Sequence, residues 1–204
     1  MMRFEESGMT FEFDEDNCFR IEDEPLLATI CSKNSTQNLM PCECVTVIDD
    51  HHCFIEAKKS APKGPNGNVS DLMLNGEKMP STWIAYNNYQ RFLRDISKKF
   101  IDSYSLLRSI VENRHGKAKR DSLPLSSKDL RFDKIRFVLV INLVNVDENN
   151  VDRQLMAELS DALLNEMRPF LRLWNIPDHS VKIALPGQAR RILNLPIVDV
   201  DKGQ

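Results

Sequence analysis

Two short segments carry residues whose types and spacing suit chemistry. Glu56-Ala57-Lys58 closes the apolar run Cys53-Phe54-Ile55, and thirteen positions upstream of Glu56, Glu43 opens the run Cys44-Val45-Thr46-Val47-Ile48, with Asp49-Asp50-His51-His52 as a turn between the two. Side chains alternate along a strand, so Glu56 and Lys58 share a face there, whereas on a helix they would diverge. Tight pairing about Asp50 and His51 predicts Glu43 opposite Lys58 and Val45 opposite Glu56, which sets Glu43 diagonal to Glu56 at roughly 5 to 8 Å. Two carboxylates and an amine converging in this way can ligate a hard divalent cation, while the ammonium steadies an attacking water or a phosphate oxygen. The same residues could equally serve as ordinary cross-strand charges, worth a few tenths of a kcal/mol.

Glu-x-Lys on one strand with an acid on the strand before it resembles the active site of the PD-(D/E)xK nuclease superfamily. Glu43 stands in the first acid position in place of the commoner Asp, and Pro41 lies two residues ahead of it rather than directly before it. Many members carry a further acid on the preceding helix, and Glu22 or Glu24 can fill that place, with Glu22 preferred. The resemblance implies a restriction-endonuclease-like α/β core, a mixed β-sheet flanked by helices. It also implies metal-dependent hydrolysis of phosphodiester bonds in nucleic acid, DNA before RNA. Glu43, Glu56 and Lys58 would be the catalytic residues, and Mg²⁺ or Mn²⁺ would be held by Glu43, Glu56, the backbone carbonyl of Ala57, and Glu22. A catalytically inactive module of the same fold, binding nucleic acid or protein in a defence or DNA-processing complex, is the alternative. One branch of the superfamily carries Gln-x-x-x-Tyr on the following helix; here Gln90 is followed by Arg94, so the chain is not placed in that branch. By motif the resemblance covers residues 20 to 60, and by element order it reaches about residue 112.

The elements that must position these residues can be read from periodicity. Thr10 to Phe13 and Cys18 to Ile21 predict an N-terminal hairpin or two short strands, leading to a helix from Pro25 to Ser32, where Pro suits a first helical turn. Ser60 to Pro80, rich in Pro, Gly and Asn, reads as a loop beside the site. A long helix follows, capped by Ser81 or Thr82 and closed near Gly116, with Tyr89, Phe92, Leu93, Ile96, Phe100, Leu107, Ile110 and Val111 on one apolar face. Lys98 and Lys99 on it read as solvated charges able to approach phosphates. Gly116 to Asp133 reads as an exposed linker, and Phe137 to Val144, apolar on both faces, as a central buried strand. A helix from Val151 to Met167, ended or kinked at Pro169, and a strand from Val181 to Leu185 complete the order. The expectation is one domain over 1–204, with a core of about 20–146 and a C-terminal αβ extension of about 147–204.

At 204 residues the chain can bury a substantial core. Its net charge of -3 hides an uneven distribution. Met1 to Glu24 holds nine acidic residues against two basic, and Arg91 to Arg136 thirteen basic against six acidic, a stretch that could face a polyanion or simply be solvated. With no run of 18 apolar residues and an acidic start, no membrane association and a cytoplasmic location are expected. Five cysteines without a secretory signal point to reduced thiols. Cys42, Cys44, His51, His52 and Cys53 cluster in sequence, but the register separates Cys44 from Cys53 by several pairs, too far to share a zinc ion. They read instead as small buried side chains, and His51 and His52 as turn residues in solvent. No zinc finger, helix-turn-helix or P-loop supplies a recognition surface, which leaves a homodimer or a partner protein to provide one.

Overall fold

The computed structural model describes residues 1–25, 39–62, 80–143 and 153–200. The helix expected from Pro25 to Ser32, apart from its first residue, and all but the ends of the loop expected from Ser60 to Pro80 lie outside them. Eight strands are described: β1 (Met2–Glu6), β2 (Met9–Phe13), β3 (Cys18–Phe19), β4 (Cys44–Ile48), β5 (His51–Lys58), β6 (Ile135–Ile141), β7 (Val181–Ala184) and β8 (Ile197–Val200). The helices are α1 (Pro80–Val111), α2 (Lys117–Asp121), α3 (Arg153–Leu173) and α4 (Pro186–Leu193).

A five-stranded sheet in the order β3-β4-β5-β6-β7 forms the centre. It is mixed: β3, β4 and β5 are antiparallel, while β5, β6 and β7 are parallel. Parallel neighbours need a crossover, which α1 and its following turns supply between β5 and β6, and α3 between β6 and β7. Both crossovers advance in the same direction across the sheet, so a common handedness places both helices on one face. There Val45, Phe54, Phe137 and Leu139 pack against Leu93, Ile96, Phe100 and Leu107 of α1 and Leu163 and Met167 of α3. Cys44, Cys53, Ile55, Val138 and Val140 point to the other face, where Phe11 and Phe13 of a second, antiparallel sheet (β1-β2-β8) and Ala189 of α4 cover them. β6 is thus buried on both faces, as its unbroken apolar run predicts.

Several expectations change. The N-terminal hairpin joins β1 to β2 around Ser7 and Gly8, both at positive φ, and Cys18–Phe19 belongs instead to the central sheet, beside β4. The β4–β5 turn is centred on Asp49 and Asp50, at φ 49° and 62°. This is the pairing of two left-handed residues that a two-residue hairpin turn demands and that Asp tolerates. Ile48 therefore faces His51 and Cys44 faces Ile55, a register two residues away from the expected one. His51 and His52 lie in β5 rather than in the turn. His52 is buried, and its Nε2 donates to the Ser126 carbonyl at 2.9 Å. The stretch expected as an exposed linker contains α2 and two short 3-10 turns, and it buries Leu123 and Leu130. α3 runs through Pro169 to Leu173. Pro169 and Asn165, whose carbonyl loses its partner, are both exposed, so water can satisfy that oxygen. Residues 153–200 are woven into both sheets, β7 as an edge of the large one and β8 as β2's second neighbour.

Candidate functional site

At the end of β5 the alternation of side chains turns Glu56 and Lys58 toward α1, the side on which Phe54 packs. Glu43 sits just before β4, and its N–H donates to the Ile55 carbonyl at 3.0 Å, which carries the pairing one step beyond the strand. The register thus places Glu43 across from Glu56 rather than from Lys58. Because the error in register is two residues, the face is preserved and all three expected residues still share one side.

The run that leads into Glu43 is held by α1. Asp102 accepts the Met40 N–H at 2.8 Å, and the buried Ser103 hydroxyl accepts the Cys42 N–H at 2.7 Å. These side chains satisfy backbone donors that no strand reaches, each for about 0.5 to 1.5 kcal/mol. Lys98 pairs with Asp102 from one turn earlier on the same helix.

Lys99 completes the cluster. Its Nζ lies 2.7 Å from Glu56 Oε1 and 3.5 Å from Glu43 Oε1, while Lys58 Nζ lies 2.5 Å from the same Glu56 oxygen. Glu56 is 0% exposed and Glu43 4%. Two ammonium groups therefore balance two withdrawn carboxylates. Both approaches to Glu56 are ion pairs to Oε1, and Glu56 Oε2 is buried without a hydrogen-bond partner among the described residues. Burial raises the Glu56 carboxyl above its ordinary pKa and Glu43 adds to this, against the opposing pull of Lys99 and Lys58. Burial alone would lower the Lys99 ammonium, but Glu56 and then Glu43 outweigh it and hold it above its usual range. Cys42 lies in the apolar core nearby, and burial pushes its thiol far up, so it is no nucleophile.

The remaining expected ligands stand as follows. Ala57 points its methyl to the opposite face, and its carbonyl accepts the Ser7 hydroxyl at 2.9 Å, which leaves one of two lone pairs. Glu22, in the 3-10 turn Ile21–Asp23, pairs with Arg20, and Glu24 is buried against Lys119, so each candidate for the third acid has a basic partner of its own. Among the described residues no group of three or more His, Cys, Asp or Glu side chains gathers as a ligand set. Among the described residues, seven of the thirteen basic residues between Arg91 and Arg136 are ion-paired, but only Lys99, Lys119 and Lys134 pair with acids outside the stretch, so only part of its local excess is offset.

Lys99 is the site residue that the motif does not point to. Its signal is positional: it lies three residues after Ile96 and four before Ser103, inside the stripe that α1 buries, where a lysine has no reason to be unless an acid awaits it. Among the described residues no helix is long and apolar enough to cross a membrane. No family model matches the chain, and the searches of curated proteins and of solved structures return no match.

Proposed function

We propose that the Glu43–Glu56–Lys58–Lys99 cluster is the hydrolytic site of a restriction-endonuclease-like, metal-dependent nuclease of the cytoplasm, acting on DNA in preference to RNA. The observation that carries this reading is the convergence of Glu43, Glu56 and Lys58 on one face at the end of a central strand. The mixed sheet, with a long helix between the antiparallel hairpin and the buried strand, supports it.

Two facing carboxylates, one with a buried oxygen lacking a hydrogen bond, fit a divalent cation if Lys99 gives way. Glu43 and Glu56 would hold Mg²⁺ or Mn²⁺, with the Ala57 carbonyl's second lone pair as a further donor; Glu22, expected as a ligand, is instead paired with Arg20 and does not gather with the other two acids. The bound ion would supply Lewis-acid stabilisation of phosphate charge and a more acidic water. Lys58, with 32% of its side chain exposed, is the member of the cluster that best reaches solvent, and its ammonium orients the attacking water or a phosphate oxygen.

A second reading is favoured by one observation, that Lys99 contacts both carboxylates. A chain that balances its acids internally suits an inactive module that binds nucleic acid or a partner protein, as a homodimer or within a complex. Incubation of the purified protein with Mn²⁺ and a panel of single- and double-stranded DNA and RNA separates the two. Cleavage by wild type that is lost in Glu56→Gln supports the nuclease. Binding that weakens steeply with salt but never leads to cleavage supports the module. Neither binding nor cleavage sinks both nucleic-acid readings.

A further inference from the structure

Lys99 stands where a bridging cation would stand. Its ammonium lies between Glu56 Oε1, at 2.7 Å, and Glu43 Oε1, at 3.5 Å, on the side of α1 that faces the sheet. A hard divalent ion bridging the same oxygens would sit at about 2.0 to 2.6 Å from them. The ammonium and the ion therefore exclude each other. Coordination capacity remains on the same carboxylate: Glu56, wholly buried, has its Oε2 without a hydrogen-bond partner among the described residues. Lys99 can leave, because its four-carbon stem is flexible and 19% of its side chain already reaches solvent. Lys58 need not move, since it contacts Glu56 alone of the two acids.

We infer that Lys99 is an exchangeable counter-ion: it holds the two carboxylates together when no metal is bound, and a divalent cation must displace it to enter. This rests on the proposed reading in placing the cation at Glu43 and Glu56, and it adds a regulation of that site, because metal occupancy is set by competition with a side chain of the same protein. The exchange moves no covalent bond. It substitutes a dipositive ion for a singly charged ammonium, which goes out to water.

The test is calorimetric titration of Mn²⁺ into wild type, Lys99→Gln and Lys99→Met at pH 8, with the Lys99 ammonium resonance of wild type followed by NMR during Mg²⁺ addition. The expected result is that both variants bind Mn²⁺ at least tenfold more tightly than wild type and that the Lys99 resonance moves as Mg²⁺ saturates. If wild type binds and the variants bind no more tightly, the exchange is overturned while the metal reading stands. Tight binding by the variants with none by wild type supports the exchange and removes the metal-dependent reading for the natural chain. No binding by any of the three overturns both. Should the variants fail to fold, an unmoved Lys99 resonance at saturating Mg²⁺ overturns the exchange on wild type alone.

Discussion

Glu56 is the most deeply buried charged side chain among the described residues, and its neighbours decide what that costs. Its pKa in the folded protein lies above that of the unfolded chain, where the ordinary value is 4.5. The folded state thus holds the proton more tightly: stability associated with Glu56 is gained as pH falls through the raised value toward 4.5 and lost as pH rises. Removing Lys99 strips away the stronger of its two opposing charges. Lys99→Met should cost about 3 kcal/mol at pH 7.5, the lower end for a broken buried pair because Lys58 remains. The cost should shrink toward pH 5, where Glu56 can take up a proton. Urea unfolding at the two pH values measures both, and a cost equal at both would show that Lys99 is not the counter-ion of Glu56. Lys58 makes a different prediction. Lys58→Ala should leave Mn²⁺ affinity within a few-fold and lower single-turnover cleavage by about 10². Undiminished cleavage would reduce Lys58 to a pairing partner. The trio itself was legible because period-two alternation survives an even error in register, and Lys99 was not, because pairing between a helix and a strand leaves no short-range spacing to read.

α1 is at once a wall of the core and an arm of the site. Phe100, fully buried, packs its ring 5.4 Å from that of Phe137, one residue along the helix from Lys99. Phe100→Ala should cost about 3 to 5 kcal/mol in chemical denaturation; a loss below about 1 kcal/mol would mean that α1 is not anchored there. The β4–β5 turn predicts the opposite sign. Asp50 adopts a left-handed conformation that glycine enters freely, so Asp50→Gly should raise the melting temperature despite losing the exposed contact to Lys134, and an unchanged or lower value would show that the ion pair outweighs the strain. The α1 stripe and the β6 run could be read directly, since each is a long, regular pattern. The first strand was missed although Phe4 faces inward and Ser7-Gly8 marks a turn, because in its five residues Glu6 falls on the same face as Met2 and Phe4, which leaves a weak alternation. The end of α3 was misplaced because a proline does not always end a helix: it can be carried inside one where the freed carbonyl reaches water, and that exposure is not a local property of the sequence.

At the scale of the molecule, the two sheets meet at the site's own strand. The Ser7 hydroxyl bonds to the Ala57 carbonyl, and the Asn142 side-chain amide donates to the carbonyls of Ser7 and Gly8 at 3.2 and 3.3 Å, so the tip of the small sheet is fastened to the ends of β5 and β6. The shared apolar layer predicts one cooperative transition rather than two, with secondary and tertiary probes by circular dichroism giving coincident curves. Separate midpoints would show that the small sheet unfolds alone. The pairing of β2 with β8 carries a further consequence for how the chain is made. The ribosome releases Met9–Phe13 well over a hundred residues before Ile197–Val200, the strand that closes its open edge. Throughout that interval Phe11 and Phe13 can pair with β1 but have no second neighbour, and an unclosed strand edge is what a nascent chain offers to other nascent chains. Slow translation lengthens the exposure, so the yield of soluble protein depends on how quickly the last strand arrives.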